Sequence, residues 1–241
     1  GDIISAVGPY QELTQLASSI ETINGNYVLM PGMIDVHTHI CWAGTRAPEY
    51  AMRLAGDDYT RVANKGGGIW STVQKTREAT EDQLVEITVN HANKMLQQGI
   101  TTIEVKSGYG LNTESELKML RAIRQANKFT AADLIPTCLA AHTKPKDFKG
   151  SSKEYLQYIV NELFPVIIDE QLTSRVDIYI DTGAFSVSES YAFLAEAVKA
   201  GFDVVVHADQ FADGGLIVAT EIGALSADHL EVSTPEDIGM L

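Results

Sequence analysis

Two histidines separated by a single residue, His37 and His39, follow a short apolar run in this sequence. In an extended strand, side chains at positions i and i+2 point to the same face, which places these imidazoles about 7 Å apart on one side. Two imidazoles hold zinc or iron only loosely, so a working centre needs further ligands from elsewhere in the chain. The pair therefore predicts part of a divalent-metal site, against the simpler alternative of a chance pair at a loop end.

The positions of the other histidines favour the metal site over the chance pair. Of the six histidines in the chain, three more also lie at the end of an apolar run typical of a buried strand, namely His142, His207 and His229. Only His91 lies in the middle of a predicted helix. Histidines scattered over a surface would not keep these positions, so we expect the strand ends to bring them towards a common centre.

The bulk composition indicates one large globular core. The chain has 241 residues, of which 45% are hydrophobic and 21% are charged. Its formal net charge of −14 and its lack of a basic cluster argue against nucleic-acid binding. Cys41 and Cys138 have no disulfide or metal-knuckle spacing, so reduced structural thiols are expected. Because no signal peptide or membrane-spanning apolar run is present, we expect a cytoplasmic protein without a membrane partner.

Residues 1–30 differ in pattern from the rest of the chain. Residues 2–9 and 27–30 read as short strands, with a turn signal at residues 24–26. So few strands cannot form an independent domain. The sequence therefore predicts that residues 1–30 are the N-terminal part of a small β-sandwich domain and that residues 31–241 form the main domain.

From Thr80 onward, the sequence alternates between predicted helices and strands. Capping-box patterns, in which Ser or Thr precedes an acidic residue or Gln by three positions, mark helix starts at Thr80, Thr113, Ser151, Ser186 and Thr234. After a first strand that carries the histidine pair, strands are predicted over residues 100–106, 134–141, 176–181, 204–207 and 224–229. Pro165 should kink or split the helix that begins at Ser151.

This alternation fits either a doubly wound parallel sheet or a (β/α)₈ barrel of the TIM type. The histidines favour the barrel, because residues at the C-terminal ends of different barrel strands converge on one mouth. An open sheet would spread the same strand ends over roughly 25 Å, which is too far for one metal ion. A barrel needs roughly 250 residues for its eight strands. We therefore expect an incomplete barrel with about six of its eight units, in a chain truncated at its C-terminal end.

Several longer motifs resemble those of a known family. Residues 31–39, PGMIDVHTH, look like the first barrel strand of the metal-dependent amidohydrolase superfamily. Further stretches resemble the imidazolonepropionases in particular, at residues 43–47, 66–69, 104–110, 116–120, 140–142, 207–210 and 226–230. The likeness runs over essentially the whole chain, and it implies the amidohydrolase type of barrel.

The resemblance implies a reaction, which is the hydrolytic opening of 4-imidazolone-5-propanoate to N-formimidoyl-L-glutamate by a metal-activated water in histidine degradation. It implies one zinc or iron ion held by His37, His39 and His207. It implies Arg46, Tyr109, His142 and Gln210 as substrate contacts, with His229 and Gln210 as catalytic residues. The family's fourth metal ligand is an aspartate on the eighth strand, beyond Leu241, so the 241 residues alone are expected to have little activity. The resemblance also suggests a homodimer.

The chemistry of the implied reaction suits these residue types. A guanidinium recognises a carboxylate in bidentate fashion, so Arg46 is a candidate anchor for the propionate, unless it forms only a structural ion pair. His142 could polarise the ring carbonyl or hold the carboxylate. Gln210 hydrogen-bonds but cannot act as a base, which leaves proton transfer to His229 and the absent aspartate. Lys106 lies where neither spacing nor the family pattern supports a carbamylated bridging lysine, so a single metal is expected.

Two other functions remain open at this stage. One is a different mononuclear amidohydrolase, such as a deaminase that acts on guanine or cytosine. Arg46 and Tyr109 favour a ring that bears a carboxylate over a nucleobase. The other is a catalytically incomplete chain that binds metal weakly or not at all.

Overall fold

The computed structural model describes residues 3–56 and 68–240 of the chain. They belong to two compact units, Gly1–Pro31 and Gly32–Leu241. Among the described residues of the first unit there is one short helix, Tyr10–Leu13, and no strand. The strands predicted for residues 2–9 and 27–30 are therefore wrong for the described positions, because an extended segment without a neighbouring strand leaves its backbone groups unpaired. That residues 1–30 belong to a small β-sandwich domain remains a prediction.

The second unit is organised around one parallel sheet. Its described strands are β1 (Met33–Asp35), β2 (Ile100–Lys106), β3 (Asp133–Ala141), β4 (Arg175–Ile180), β5 (Asp203–Ala208) and β6 (Ser226–His229). Their order in the sheet, from β1 to β6, is their order in the chain. A doubly wound sheet would reverse direction at a switch point, whereas a barrel adds each strand beside the last. The six described strands form a curled half-barrel, which confirms the predicted fold class.

Helices connect the strands of this unit. Those of the described residues are Ala47–Leu54, Ile69–Glu78, Glu81–Leu96, Thr113–Ala126, Ser152–Tyr158, Phe164–Asp169, Val187–Lys199, Gly215–Ile222 and Pro235–Ile238. The predicted capping boxes are confirmed at four starts, Thr80, Ser151, Ser186 and Thr234. No described helix is both long and apolar enough to cross a membrane.

The cap predicted at Thr113 is wrong. Asn112 is the N-cap, and its side chain accepts a hydrogen bond from the Ser115 N–H at 2.8 Å. Glu116 cannot complete a capping box, because its buried carboxylate accepts hydrogen bonds from the N–H groups of Gly108, Gly110 and Leu111. The acidic residue in this motif therefore fixes the preceding loop instead of the helix start.

The helix that begins after Ser151 is split, as Pro165 predicts. A π-helical turn, Ile159–Leu163, separates Ser152–Tyr158 from Phe164–Asp169. Proline has no N–H to donate and its ring crowds the carbonyl four residues earlier. The regular series of α-helical hydrogen bonds is therefore interrupted just before Pro165, and a new helix begins there.

Successive side chains along each strand alternate between two buried faces. One face packs against the flanking helices, and the other faces the inside of the half-barrel. On β4, Val176, Ile178 and Ile180 belong to the hydrophobic core shared with the flanking helices. Asp177, between them, points to the opposite face and is also fully buried. The same alternation on β2 sends Ile103 and Val105 to the core and leaves Glu104 and Lys106 on the inner face. Charged residues thus lie inside a barrel wall whose outer face is apolar.

Candidate metal centre

The histidine pair lies just beyond β1 and not within it. Strand β1 ends at Asp35, and the chain continues extended beside β2, where the Lys106 N–H donates to the Thr38 carbonyl at 3.0 Å. The Thr38 hydroxyl, on the face opposite the pair, donates to the Glu104 carbonyl. These bonds hold His37 and His39 on the inner side of the half-barrel.

Three imidazoles lie close together at this point. The Nε2 atom of His39 lies 3.3 Å from Nε2 of His37 and 3.3 Å from Nε2 of His207, which comes from β5. Nitrogen ligands at 2.0–2.1 Å from a tetrahedral ion lie roughly 3.3–3.4 Å from one another. These two separations therefore match those of nitrogens that share one ion, and the donor set suits a divalent transition metal.

The pKa values of His39 and His207 also suit metal binding. Burial, reinforced by the neighbouring histidines, lowers the pKa of His39 well below its ordinary value. Burial also lowers the pKa of His207, although Asp177 beside it acts in the opposite direction. A neutral imidazole is the form that binds a metal, so these two rings do not have to lose protons near neutral pH to bind one.

Two carboxylates lie behind the ligands. Asp228 Oδ2 on β6 lies 2.7 Å from Nδ1 of His37, and Asp177 Oδ2 on β4 lies 2.9 Å from Nδ1 of His207. A carboxylate at Nδ1 favours the tautomer that carries its proton there, which leaves the Nε2 lone pair free. Burial raises the pKa of Asp177, but the larger combined effect of His207 and Lys106 lowers it below its ordinary value. Burial likewise raises the pKa of Asp228, and His37 and Lys106 bring it below its ordinary value. Both carboxylates are therefore charged.

Lys106 lies beneath these carboxylates at the end of β2. Its side chain is 0% exposed, and its Nζ lies 2.8 Å from Asp177 Oδ2, 2.8 Å from Glu104 Oε2 and 3.3 Å from Asp228 Oδ2. Burial lowers its pKa, but Asp177 and Glu104 outweigh burial and raise it above the ordinary value. A permanently protonated ammonium cannot add carbon dioxide, which supports the predicted absence of a carbamylated lysine.

All the remaining predicted site residues except Tyr109 line one cavity with the histidines. Its volume is about 570 Å³, and its walls include His37, His39, Arg46, His142, Tyr179, His207, Gln210 and His229. The ring of His229 lies 5.0 Å from that of His37 and 5.2 Å from that of His207. His229 and Leu230 have positive φ angles, 79° and 64°, so the end of β6 is strained where His229 faces the cavity.

Two other groups of three side chains could also hold a metal ion. Ligand atoms of His37, His207 and His229 lie within 4.8 Å of one another, as do those of Asp177, His207 and Asp228. In the first group His229 is exposed, whereas His39 is partly buried and its Nε2 atom lies 3.3 Å from those of both His37 and His207. In the second group both carboxylates already face the Lys106 ammonium.

On the other side of the cavity, Arg46 has an unused donor. Its Nε donates to the Thr72 hydroxyl at 3.1 Å and lies 3.8 Å from Glu49 Oε2. Its Nη2 is buried and has no hydrogen-bond partner among the residues that the structure describes. A buried guanidinium donor without an acceptor is costly, which favours an anionic ligand that supplies one.

Tyr109 and Gln210 are two further predicted substrate contacts. The ring of Tyr109 lies 5.9 Å from that of His39 and 5.4 Å from that of His142. Burial raises the pKa of the Tyr109 phenol, so it remains a hydrogen-bond donor. Gln210 Oε1 accepts a hydrogen bond from the Tyr179 hydroxyl at 2.9 Å, which leaves the amide NH₂ to donate.

Part of the motif at residues 66–69 can be placed. Gly66 and Gly67 lie outside the described residues. Gly68 has a φ angle of 81°, and its N–H donates to Glu49 Oε1 at 3.0 Å. Glu49 therefore links this glycine to the region of Arg46.

Sequence reasoning missed Asp177, Asp228 and Tyr179 as parts of the site. A signal existed, because Asp177 lies inside a strand whose alternate residues are apolar and buried. A buried acidic side chain needs a positively charged partner. Here that partner is Lys106, which lies on another strand. The partner could be identified only once the register of the strands was known.

Comparison with known proteins identifies the family of the chain. The Amidohydrolase family matches residues 28–240. The chain is 44% identical over 241 residues to an imidazolonepropionase of Bacillus cereus strain G9842, and 43% identical over 240 residues to one of Bacillus thuringiensis strain Al Hakam. These matches cover 100% and 99% of this chain but only 57% and 56% of the relatives, so the chain spans little more than half their length.

Solved structures share the fold. The 5-methylcytosine deaminase of Klebsiella pneumoniae superposes with a TM-score of 0.56 at 16% identity, over 86% of this chain and 48% of that one. The adenine deaminase of Arthrobacter aurescens gives a TM-score of 0.53 at 13% identity, over 88% of this chain and 69% of that one. At such low identity these likenesses concern the fold alone.

Proposed function

The chain belongs to the amidohydrolase family, and from that premise we propose that it opens the ring of 4-imidazolone-5-propanoate to give N-formimidoyl-L-glutamate. The observation that carries the proposal is one cavity with three imidazoles on one side and, on the other, the Arg46 guanidinium, whose Nη2 has no hydrogen-bond partner among the described residues. Such a cavity suits a small cyclic amide with a carboxylate tail. The 44% identity to an imidazolonepropionase supports this choice of ring.

We assign the metal to His37, His39 and His207, and we expect zinc or iron, since both accept imidazole ligands. The spacing of the Nε2 atoms and the lowered pKa values of His39 and His207 support this assignment. When bound, the metal supplies Lewis acidity, which acidifies a water molecule and polarises an amide carbonyl. The protein holds the three lone pairs in position before the metal arrives.

Arg46 is assigned to the propionate carboxylate. Its Nε is already engaged with Thr72, whereas Nη2 still lacks an acceptor among the described residues. A carboxylate oxygen would satisfy that donor with a charge-assisted hydrogen bond. The Tyr109 hydroxyl, which stays protonated, would donate a second bond to the ligand.

His142 is assigned as a hydrogen-bond acceptor. Its Nδ1 lies 3.0 Å from the Gly108 carbonyl, which only accepts, so Nδ1 carries a proton and donates. Burial lowers the pKa of His142 to about 4, which keeps the ring neutral. Its Nε2 then presents a lone pair to the cavity and can accept a ring N–H of the substrate. This favours an acceptor over the two donor roles expected from the sequence.

His229 and Gln210 complete the assignment. Gln210 would orient the substrate through its amide NH₂, since its Oε1 is occupied by Tyr179. His229, which lies beside both His37 and His207 and lines the cavity, would move the proton from the attacking water towards the leaving ring nitrogen. We further expect a small-molecule substrate alone, with no nucleic-acid partner, and a cytoplasmic homodimer.

The test is parallel turnover of 4-imidazolone-5-propanoate, guanine and cytosine by protein loaded with one equivalent of Zn²⁺ or Fe²⁺. Hydrolysis of imidazolonepropanoate without deamination of the nucleobases is the expected outcome. Deamination of guanine or cytosine alone would overturn the proposal in favour of the deaminase alternative.

Because the 241 residues alone are expected to turn over little substrate, binding is measured in parallel on the same chain. The thermal unfolding midpoint of the metal-loaded protein should rise with imidazolonepropanoate and should not respond to either nucleobase. The shift should be lost in Arg46→Ala. An equal shift for guanine would count against a carboxylate-bearing substrate.

A further inference from the structure

We propose that Lys106 is the positioning residue of the metal centre: its ammonium holds Asp177 and Asp228 so that they fix the orientation and tautomer of His207 and His37. The inference rests on the proposed metal role of these histidines, but it does not depend on which substrate is hydrolysed. Lys106 touches neither the ligand nitrogens nor the cavity, and it would act only through the two carboxylates.

The contacts share two oxygen atoms. Asp177 Oδ2 lies 2.8 Å from Lys106 Nζ and 2.9 Å from His207 Nδ1. Asp228 Oδ2 lies 3.3 Å from the same Nζ and 2.7 Å from His37 Nδ1. Each oxygen that faces a ligand histidine is thus also an oxygen that faces the ammonium. One buried cation thus connects the carboxylates behind two proposed metal ligands, one that follows β1 and one on β5.

The strand pattern explains why these groups meet. Lys106, Asp177 and Asp228 come from β2, β4 and β6, and all three point to the inner face. In a parallel barrel, residues from alternate strands form one layer of the interior. The ligand histidines come from the segment after β1 and from β5, and so belong to the neighbouring layer. The charged layer therefore lies directly beneath the ligand layer.

Removing the ammonium would leave the two carboxylates without the group that both of them face. Asp177 Oδ2 and Asp228 Oδ2 both lie within 3.3 Å of Lys106 Nζ, so without it two buried negative charges would repel each other and the side chains would move apart. A displaced carboxylate no longer lies 2.7 or 2.9 Å from the Nδ1 atom of its histidine, and the ring loses the partner that fixes its orientation and its tautomer. Lys106 would prevent this change by holding both carboxylates in place.

A purely electrostatic role for Lys106 predicts the opposite effect on metal affinity. A positive charge close to the metal disfavours a second cation, so its loss alone would tighten metal binding. A positioning role predicts weaker binding, because the ligand lone pairs would be misdirected. The direction of the change therefore separates the two roles.

The experiment titrates metal-free protein with Co²⁺, reading affinity by competition with a chelator and ligand geometry from the visible absorption spectrum. The variants are Lys106→Met and the charge-compensated Lys106→Met with Glu104→Gln. Lys118→Met is the matched control, because Lys118 Nζ donates to two backbone carbonyls, at 2.8 Å and 2.6 Å, away from the cavity. Lys106→Arg tests rescue by a residue that retains the charge.

We expect both Lys106→Met variants to bind Co²⁺ about 10- to 100-fold more weakly, with an altered spectrum. Lys106→Arg should recover part of the affinity, and Lys118→Met should change neither quantity. Unchanged or tighter binding with the wild-type spectrum in the compensated variant would overturn the proposal. If Lys106→Met does not fold, the compensated variant, which keeps the net charge of the layer, gives the answer.

A second readout needs no metal. Long-range proton–nitrogen NMR spectra of the metal-free wild-type protein report which ring nitrogen of each histidine is protonated, with assignments from His37→Ala and His207→Ala. We expect both rings to be protonated on Nδ1 in the wild type and to become mixtures in the compensated variant. Protonation on Nε2 in the wild type would reject the proposal. Failure of the wild type to bind Co²⁺ would instead reject the proposed metal function.

Discussion

The two sides of the cavity are built differently. On the metal side, His37 and His207 are each backed by a carboxylate within 2.9 Å, and a buried ammonium connects those carboxylates. On the anion side, Arg46 donates a hydrogen bond to Thr72 and forms a long ion pair of 3.8 Å with Glu49. Its Nη2 has no acceptor among the described residues.

This difference shows what each side must provide. A metal site needs fixed lone pairs at set distances, so its supporting charges are already paired within the protein. An anion site needs a donor that is not yet satisfied, so that the ligand supplies the missing acceptor. The buried carboxylates thus stabilise the metal side without a ligand, whereas the anion side gains its last hydrogen bond only on binding.

The most severe way to break the metal side is His207→Ala. Loss of one of three imidazoles leaves a pair that holds a divalent ion only loosely, so we expect purified protein to contain essentially no metal by elemental analysis. His91→Ala is the control, because His91 lies outside the cavity and its Nδ1 pairs with the Ile40 carbonyl at 2.9 Å. The control should retain full metal content. Full metal content in His207→Ala would remove His207 from the ligand set.

The buried histidine that joins the two sides should make the metal-free protein sensitive to acid. His142 stacks on His39 at 5.3 Å, and burial lowers its pKa from 6.5 to about 4 in the folded state. The unfolded chain therefore binds more protons between these values. The stability contributed by His142 is complete above pH 6.5 and is lost as the pH falls towards 4, a change of about 3 kcal/mol.

His142→Gln removes this contribution. Urea unfolding of the metal-free wild type and of metal-free His142→Gln is measured at several pH values between 7 and 4. As the pH is lowered, the free energy of unfolding should fall less steeply for the variant than for the wild type. His39 and His207 are present in both proteins, so the difference between the two slopes isolates His142. Equal slopes would show that His142 is not buried as a neutral ring.

The sequence predicts the fold well because the decisive signals are local. The capping boxes at Thr80, Ser151, Ser186 and Thr234 mark helix starts through contacts within one turn. The exception is instructive, since Glu116 has the spacing of a capping residue but binds the loop at residues 108–111. A buried carboxylate that accepts three backbone N–H groups gains more there than at an exposed helix start.

The site is predicted less completely, because its support depends on strand register. The histidines were identifiable from their positions at the ends of apolar runs. Asp177, Asp228 and Lys106 meet only because β2, β4 and β6 send alternate residues inwards, and no local pattern specifies that they share oxygen atoms. The shortness of β1 was also not foreseen, since the histidine pair follows the strand and is held there by Thr38.

Arg46→Ala tests the anion side with a smaller expected effect. Loss of a charge-assisted hydrogen bond should weaken binding of imidazolonepropanoate by about 2 kcal/mol, or roughly 30-fold in the KM measured in the full-length context, with metal content unchanged. Arg121→Ala is the matched control, since Arg121 pairs with Glu170 outside the cavity and should leave KM unaltered. An unchanged KM in Arg46→Ala would remove Arg46 from the anchor role.

Tyr109→Phe makes the finest distinction between the two sides. The ring is fixed by a loop that Glu116 holds through backbone N–H groups, so the substitution should change the hydroxyl and leave the ring in place. A single hydrogen bond from a neutral donor contributes about 1 kcal/mol, which predicts a KM roughly 5-fold higher. Metal content should not change, and Tyr191→Phe, half-exposed on the helix Val187–Lys199, should be silent. A loss of metal in Tyr109→Phe would show that the hydroxyl supports the metal centre. Tyr109 would then belong to the metal side of the cavity and not to the anion side.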